Sequence, residues 1–234
     1  MLTTPYRSAL IVGAGPGLGA SLARAFTRDA GMRVVVAARQ RAKLDAIVRE
    51  TGAAAFACDA TDAAAVATLF EAATQHLGAP PDVVVYNASQ RVRGPFALVD
   101  AAAVAQAVAV TAMGAFHVAQ QAARRMLPAG RGAILFTGAS AGVKGYPQSA
   151  AFAMGKFALR GLAQSMAREL APQGIHVGHV VIDGAIRPPG TVADDAKDDR
   201  LDPDAIASSY LHLLTQPRSA WTWEIELRPW VERF

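Results

Sequence analysis

The chain has 234 residues, 52% of them apolar, and its 23 Lys and Arg against 19 Asp and Glu give a formal charge of +4. That length and apolar content support one globular α/β domain with a large core, and the basic residues are scattered, which argues against a nucleic-acid or membrane-surface partner. A single cysteine, Cys58, excludes an internal disulfide and points to a reducing, cytoplasmic compartment.

The polar N-terminus, residues 1–7, shows no signal-peptide pattern and runs into a strand predicted at 9–13. A helix at 18–28, a strand at 33–37, a helix at 43–51 and a strand at 54–58 follow. Then come a helix at 62–77, a strand at 82–86, a long helix at 100–127 and a strand at 132–137. A helix at 149–171, a strand at 176–182, a helix at 203–214 and a strand at 223–227 complete the pattern. The apolar stretch 101–119 is mostly alanine and valine, with Gln106 and Thr111 inside it, and reads as a buried helix of a soluble protein rather than a membrane span. Near-continuous apolar strands separated by helices predict a single doubly wound parallel β-sheet, Rossmann-like, with helices on both faces. No linker, repeat or low-complexity segment divides residues 1–234, so the whole chain reads as one doubly wound domain.

The first strand ends in Val12-Gly13-Ala14-Gly15-Pro16-Gly17-Leu18-Gly19 and opens directly into a helix. Glycines there let the turn close and let backbone N–H groups approach a pyrophosphate at the positive end of the helix. Gly13, Gly15, Gly17, Leu18 and Gly19 are therefore candidate cofactor-binding residues.

The spacing Gly13-x-x-x-Gly17-x-Gly19 resembles that of the short-chain dehydrogenase/reductase family, and further landmarks follow at that family's distances over 10–227. The resemblance implies an NAD(P)-dependent oxidoreductase. Arg39 stands after the second strand, where an acidic residue would hold the ribose of NAD; arginine there suits the 2′-phosphate of NADP. Asp59 and Ala60 match the adenine site, and Asn87-Ala88-Ser89 stands for the family's Asn-Ala-Gly, which lines the cofactor.

The active-site half departs from the family's pattern. In Phe152-Ala153-Met154-Gly155-Lys156 the lysine of the catalytic Tyr-x-x-x-Lys pair is present, and phenylalanine holds the tyrosine position. The family's serine position is Ala139, with Ser140 displaced by one residue, and the asparagine of the proton relay maps to Thr111. If Asp183 takes the place of a usual proline, the backbone of Ile186 is the nicotinamide contact. The candidate catalytic residues are thus Lys156, Ser140 and Tyr146. Tyr146 either replaces the missing acid or forms a pocket wall. General acid catalysis is worth ~10²–10⁴ in rate and an oxyanion donor ~10²–10³, so ordinary ketone reduction should be slow. Iminium or polarised enone substrates, which need no proton delivered to oxygen in the reacting step, should be least handicapped.

His117 and His179 read as satisfied core histidines, while Arg91 and Arg93 are either plain loop arginines or bind a carboxylate or phosphate of the substrate. Asp194, Asp195, Asp198, Asp199, Asp202 and Asp204 crowd a region expected to be a solvated substrate lid at about 187–203, without metal-ligand spacing. Trp221 and Trp223 are assigned to core or interface packing. The resemblance also implies a homodimer or homotetramer, built through the helices at 111–127 and 149–171. Two functions stay open: an NADP-dependent oxidoreductase of atypical mechanism acting on a small molecule, or an NADP-binding protein without turnover.

Overall fold

A computed structural model describes residues 4–192 and 197–232. The β-branched runs form β1 (Ser8–Val12), β2 (Arg33–Ala38), β3 (Ala54–Ala57), β4 (Val83–Tyr86), β5 (Gly132–Thr137) and β6 (Ile175–Ile182). The two-residue strands β7 (Ala185–Ile186) and β8 (Arg200–Leu201) pair with each other, and β9 (Glu224–Leu227) ends the series. Helices α1 (Leu18–Arg24), α2 (Asp45–Thr51), α3 (Ala63–Leu77), α4 (Ala101–Val108), α5 (Gly114–Met126), α6 (Ala150–Leu170) and α7 (Pro203–Thr215) fill the connections.

Seven strands form one parallel sheet in the order β3-β2-β1-β4-β5-β6-β9. The strands are apolar on both sides because both sides are covered. Ala9 and Ile11 of β1 pack with α1, α2 and α7, whereas Leu10 and Val12 pack with α3, α5 and α6. This is the period of two expected of a strand. Large side chains such as Phe26 on the first face and Phe70 on the second are fully buried, each contributing about 1.5–3 kcal/mol by leaving water. The chain builds outward from β1 to β3 and then returns to the other side of β1 as β4. A crevice opens beyond the strand ends where the order reverses, the usual ligand position in such sheets.

The structure corrects several local expectations. The helix expected at 18–28 closes in a wider π turn, Ala25–Asp29. The helix expected at 100–127 is interrupted by another, Ala109–Met113, which separates α4 from α5. Tyr86 Oη donates to the freed Val110 carbonyl, and Gly114 packs where a Cβ would strike that hydroxyl. The apolar stretch is only partly buried: α4 buries Ala107, and α5 buries Gly114, Ala115, Val118 and Ala119. Only 33% of the apolar window in the helix over 101–129 is covered, and that helix is long and apolar enough to cross a membrane by length and composition. Periodicity in an alanine-rich run does not reveal which face turns inward. The described aspartates of the expected lid region are mostly exposed, yet several have partners. Asp202 caps α7 and pairs with Arg187 at 2.6 Å, Asp204 pairs with Arg24 at 2.8 Å, and Asp198 accepts from Trp230 Nε1 at 2.6 Å. Asp194 and Asp195 lie outside the described residues.

Candidate active site

The crevice begins where β1 and β4 end side by side. Gly13 has φ +85°, and a Cβ on it would lie 2.3 Å from the Ala88 nitrogen, so only glycine allows this approach. Asn87 clips the two ends together: its N–H donates to the Val12 carbonyl at 2.8 Å and its side-chain amide to the Gly13 carbonyl at 3.0 Å. Gly19 abuts Ala14, with a Cβ only 2.8 Å from that residue's Cα, which seats α1 tightly against the turn. Gly17 is the N-cap of α1 without side-chain capping, and a Cβ there would meet nothing within 4 Å. The first N–H groups of any helix lack intrahelical partners and carry positive charge. Gly17 and Leu18 line the crevice beside them, an open cradle that fits a pyrophosphate. A Cβ at Gly15 would likewise point into open space.

The outer part of the crevice, about 310 Å³, is lined by Gly13, Arg39, Lys43, Asp59, Ala60, Asn87 and Ala88. Thr61 donates its N–H and hydroxyl to Asp59 Oδ1 at 3.0 and 2.8 Å. These bonds, with the Arg39 charge behind them, hold that carboxyl below the usual range. Lys43 was not foreseen as a site residue. The signal was a further cation four residues after Arg39, in the turn that follows β2, where the intervening Arg41 is taken up by Asp45. Arg39 and Lys43 together fit a phosphate at this end, while Asp59 is held by its own turn.

The inner part, about 500 Å³, is lined by Gly17, Leu18, Asn87, Arg91, Ala139, Phe152, Lys156 and Ile186. Asn87 and Ser89 line both parts, so the crevice is continuous. Lys156 is 2% exposed and donates from Nζ to the Thr137 carbonyl at 2.6 Å. Burial first, and the Arg91 charge second, push its pKa down to about 7. One helical turn earlier, Phe152 shares the same face of α6, as expected of an i, i+4 pair. Its ring lies beneath the Arg91 guanidinium, 4.3 Å from Cζ to the ring centre, and 5.7 Å from Lys156 Nζ. Ala139, Ala141 and Phe152 form a small buried apolar cluster here. Neither residue 139 nor residue 152 offers a hydroxyl.

Ser140 and Tyr146 line an adjoining cavity of about 270 Å³ that shares Arg91 and Phe152 with the crevice. The structure therefore does not bring either hydroxyl onto the wall that carries Lys156. Tyr146 is half-exposed, with the Lys144 ammonium 5.7 Å from its ring. Arg93 lines that outer cavity, as do Asp183 and Glu232. Asp183 is buried between Lys144 at 3.6 Å and Arg228 at 3.7 Å. Thr111 is fully buried, accepts from the Gln90 N–H at 3.3 Å, and packs against Gly155 of α6.

Of the two histidines, His117 pairs through Nδ1 with the Ala60 carbonyl at 3.1 Å. His179 is only half satisfied. Its Nδ1 meets Glu224 at 3.0 Å, its Nε2 has no hydrogen-bond partner among the described residues, and burial drives its pKa down to about 4. It is a neutral imidazole donating to a carboxylate that also takes two 2.7 Å bonds from Arg160. Trp221 stacks on His176 at 4.7 Å, and Trp223 packs against the second core cluster.

The family model described as short chain dehydrogenase matches residues 7–198. The chain is 34% identical to L-xylulose reductase of Bos taurus over 191 residues, 80% of this chain and 75% of that protein. It is 36% identical to inactive 2-(S)-hydroxypropyl-CoM dehydrogenase 2 of Xanthobacter autotrophicus over 174 residues, 74% of this chain and 72% of that one. A solved metagenomic short-chain oxidoreductase in complex with NADP superposes with a TM-score of 0.83 at 30% identity, covering 95% of this chain and 97% of the other.

Proposed function

Because the chain belongs to the short-chain dehydrogenase family, we propose that it is an NADP-dependent oxidoreductase acting on a small organic substrate through an atypical acid–base centre. The observation that carries this reading is the crevice itself, with Arg39 and Lys43 at one end and buried Lys156 at the other. Bound there, NADP supplies or accepts hydride. The first turn of α1 would hold its pyrophosphate, Asp59 and Ala60 its adenine, Lys156 its ribose, and the backbone of Ile186 its carboxamide. Arg39 and Lys43 would take the 2′-phosphate. The solved relative with bound NADP supports this choice of cofactor.

The chain forms a divergent branch of the family in which Phe152 and Ala139 replace both catalytic hydroxyls. It sits in the cytoplasm, in keeping with its lone buried cysteine. An NADPH-binding titration beside a screen of NADPH oxidation tests the assignment: binding with turnover supports it. Tight binding with no turnover on carbonyls, imines or enones favours the second reading, an NADP-binding protein without turnover. The missing hydroxyls and the inactive relative favour that alternative.

NADPH is expected to bind at least tenfold tighter than NADH, about 1.4 kcal/mol, a moderate yield for charge-assisted phosphate contacts. Arg39→Asp should reverse the order. Equal affinities in the wild type, read by fluorescence titration, would remove Arg39 from this role.

We also propose a homodimer or homotetramer. Met113 and Phe116, together with Met154 and Phe157 of α6, leave large apolar side chains 40–55% exposed on the two helices assigned to association. Covering them between copies removes apolar surface from water. Light scattering at micromolar concentration should give a dimer or tetramer, shifted toward monomer by Phe116→Glu with Phe157→Glu. A wild-type monomer contradicts the assignment.

A further inference from the structure

We infer that the inner crevice is built for a substrate that carries a carboxylate, bound by the Arg91 guanidinium where it lies over the Phe152 ring. The inference rests on the oxidoreductase reading for the identity of the crevice and goes beyond it in naming the substrate's charge.

The first support is placement. Arg91 lines both the inner crevice with Lys156 and the adjoining cavity with Arg93, so it stands at the passage between them. Its guanidinium is 4.3 Å from the centre of the Phe152 ring, the residue that stands where the family's acid would be. A guanidinium on an aromatic face gains a cation–π attraction and keeps its N–H donors free at its edge. That edge matches the two oxygens of a planar carboxylate.

The second support is that Arg91 is held in place. The loop that carries it is anchored on one side by the Gln90 N–H to Thr111 Oγ1 at 3.3 Å, and on the other by the Gly94 N–H to the Gln148 carbonyl at 3.2 Å. Gln148 itself adopts a positive φ of 57° to make that bond. Arg91 itself is exposed, so this backbone frame and the Phe152 ring are what hold its guanidinium at the passage.

The third support is unbalanced charge. Among the described residues no carboxylate pairs with Arg91 or Arg93: of the two that face the same outer cavity, Asp183 is already held between Lys144 and Arg228, and Glu232 forms no ion pair with either arginine. Arg91 also disfavours the charged form of Lys156. A bound anion relieves that repulsion and is favoured by both cations. The same two cations repel a positively charged substrate. The iminium expected from the loss of the acid therefore does not suit this crevice, whereas an oxo acid or an enone acid does. Ala139, Ala185, Ile186, Pro188 and Pro189 give the inner wall an apolar side that suits a small organic body, beside the polar Asn87, Ser89 and Thr137 and an Arg187 already paired with Asp202. Carboxylate is chosen over phosphate because Arg187, the other guanidinium of this wall, is already paired with Asp202 at 2.6 Å, which leaves the planar fork of Arg91, and one such fork satisfies two oxygens, not three.

Calorimetric titration of the full chain with 4-oxopentanoate and with phenylpyruvate, each against its methyl ester, tests the inference. The titrations are run with saturating NADP⁺ and again without it, so that no turnover is needed. At least one acid is expected to bind at least tenfold tighter than its ester, and Arg91→Gln should close that gap while leaving the ester's affinity in place. Equal binding of acid and ester overturns the inference, as does a gap that survives in Arg91→Gln or tighter binding of inorganic phosphate than of either acid. If Arg91→Gln folds poorly, the wild-type comparison of acid with ester still decides. A chain that separates acid from ester without binding NADP⁺ refutes the oxidoreductase reading alone. One that binds NADP⁺ without separating them refutes the carboxylate site alone.

Discussion

Changing Ala139→Ser together with Phe152→Tyr is expected to raise the reduction of plain ketones by at least tenfold. The restored phenol would sit one turn before Lys156, on the face of α6 that lines the crevice. Two cations border the Phe152 ring, Arg91 at 4.3 Å and Lys156 at 5.7 Å. Both favour the ionised phenol and so lower its pKa from about 10. The serine would add a donor toward the same oxygen from a position that now holds only a methyl group. A positioned acid supplies ~10²–10⁴ and an oxyanion donor ~10²–10³. Tenfold is the floor because Arg91 occupies part of the space above the ring. Each single change should give less than the pair. Steady-state rates with a neutral ketone and NADPH read the effect. Ordinary enzyme rates in the wild type would instead mean that Tyr146 or a bound water already acts as the acid.

Lys156 should make the fold's stability depend on pH. Its folded pKa is about 7, against 10.5 for a free lysine. Between those values the unfolded chain binds the proton and the folded chain does not. Stability therefore rises with pH across this window. Below about pH 7 both states are charged, and the folded state bears the full cost of a buried ammonium. Each pKa unit corresponds to about 1.4 kcal/mol, so the effect is on the order of a few kcal/mol. Lys156→Met should flatten the slope and raise stability at pH 6.5 more than at pH 9.5, although it leaves the Thr137 carbonyl without its 2.6 Å donor. Urea unfolding of both proteins at those two pH values measures the difference. An identical slope in the two proteins would show that Lys156 is not the titrating group.

Much of the fold was legible in the chain because the signals are local. Apolar strands of period two, such as 8–12 with every residue buried, must be covered on both faces, and that alone dictates a doubly wound sheet. Gly13, Gly17 and Gly19 were legible for the same reason: a strand turning directly into a helix over a phosphate needs missing Cβ atoms, and the pattern lies within one turn of chain. Phe152 and Lys156 could be placed on one face from helical spacing. Other features depend on segments far apart in sequence, and only tertiary packing decided them. The π turn at 109–113 depends on Tyr86 reaching the Val110 carbonyl from β4. Asp204 is exposed, as its sequence suggests, but its pairing with Arg24 comes only from α7 packing against α1. His179 looked satisfied, yet burial left one nitrogen without a partner among the described residues. Arg91 read as one loop arginine among several. Its position over Phe152 follows from a loop after β4 and a helix after β5 meeting at the ends of adjacent strands, a contact that no spacing in the sequence encodes.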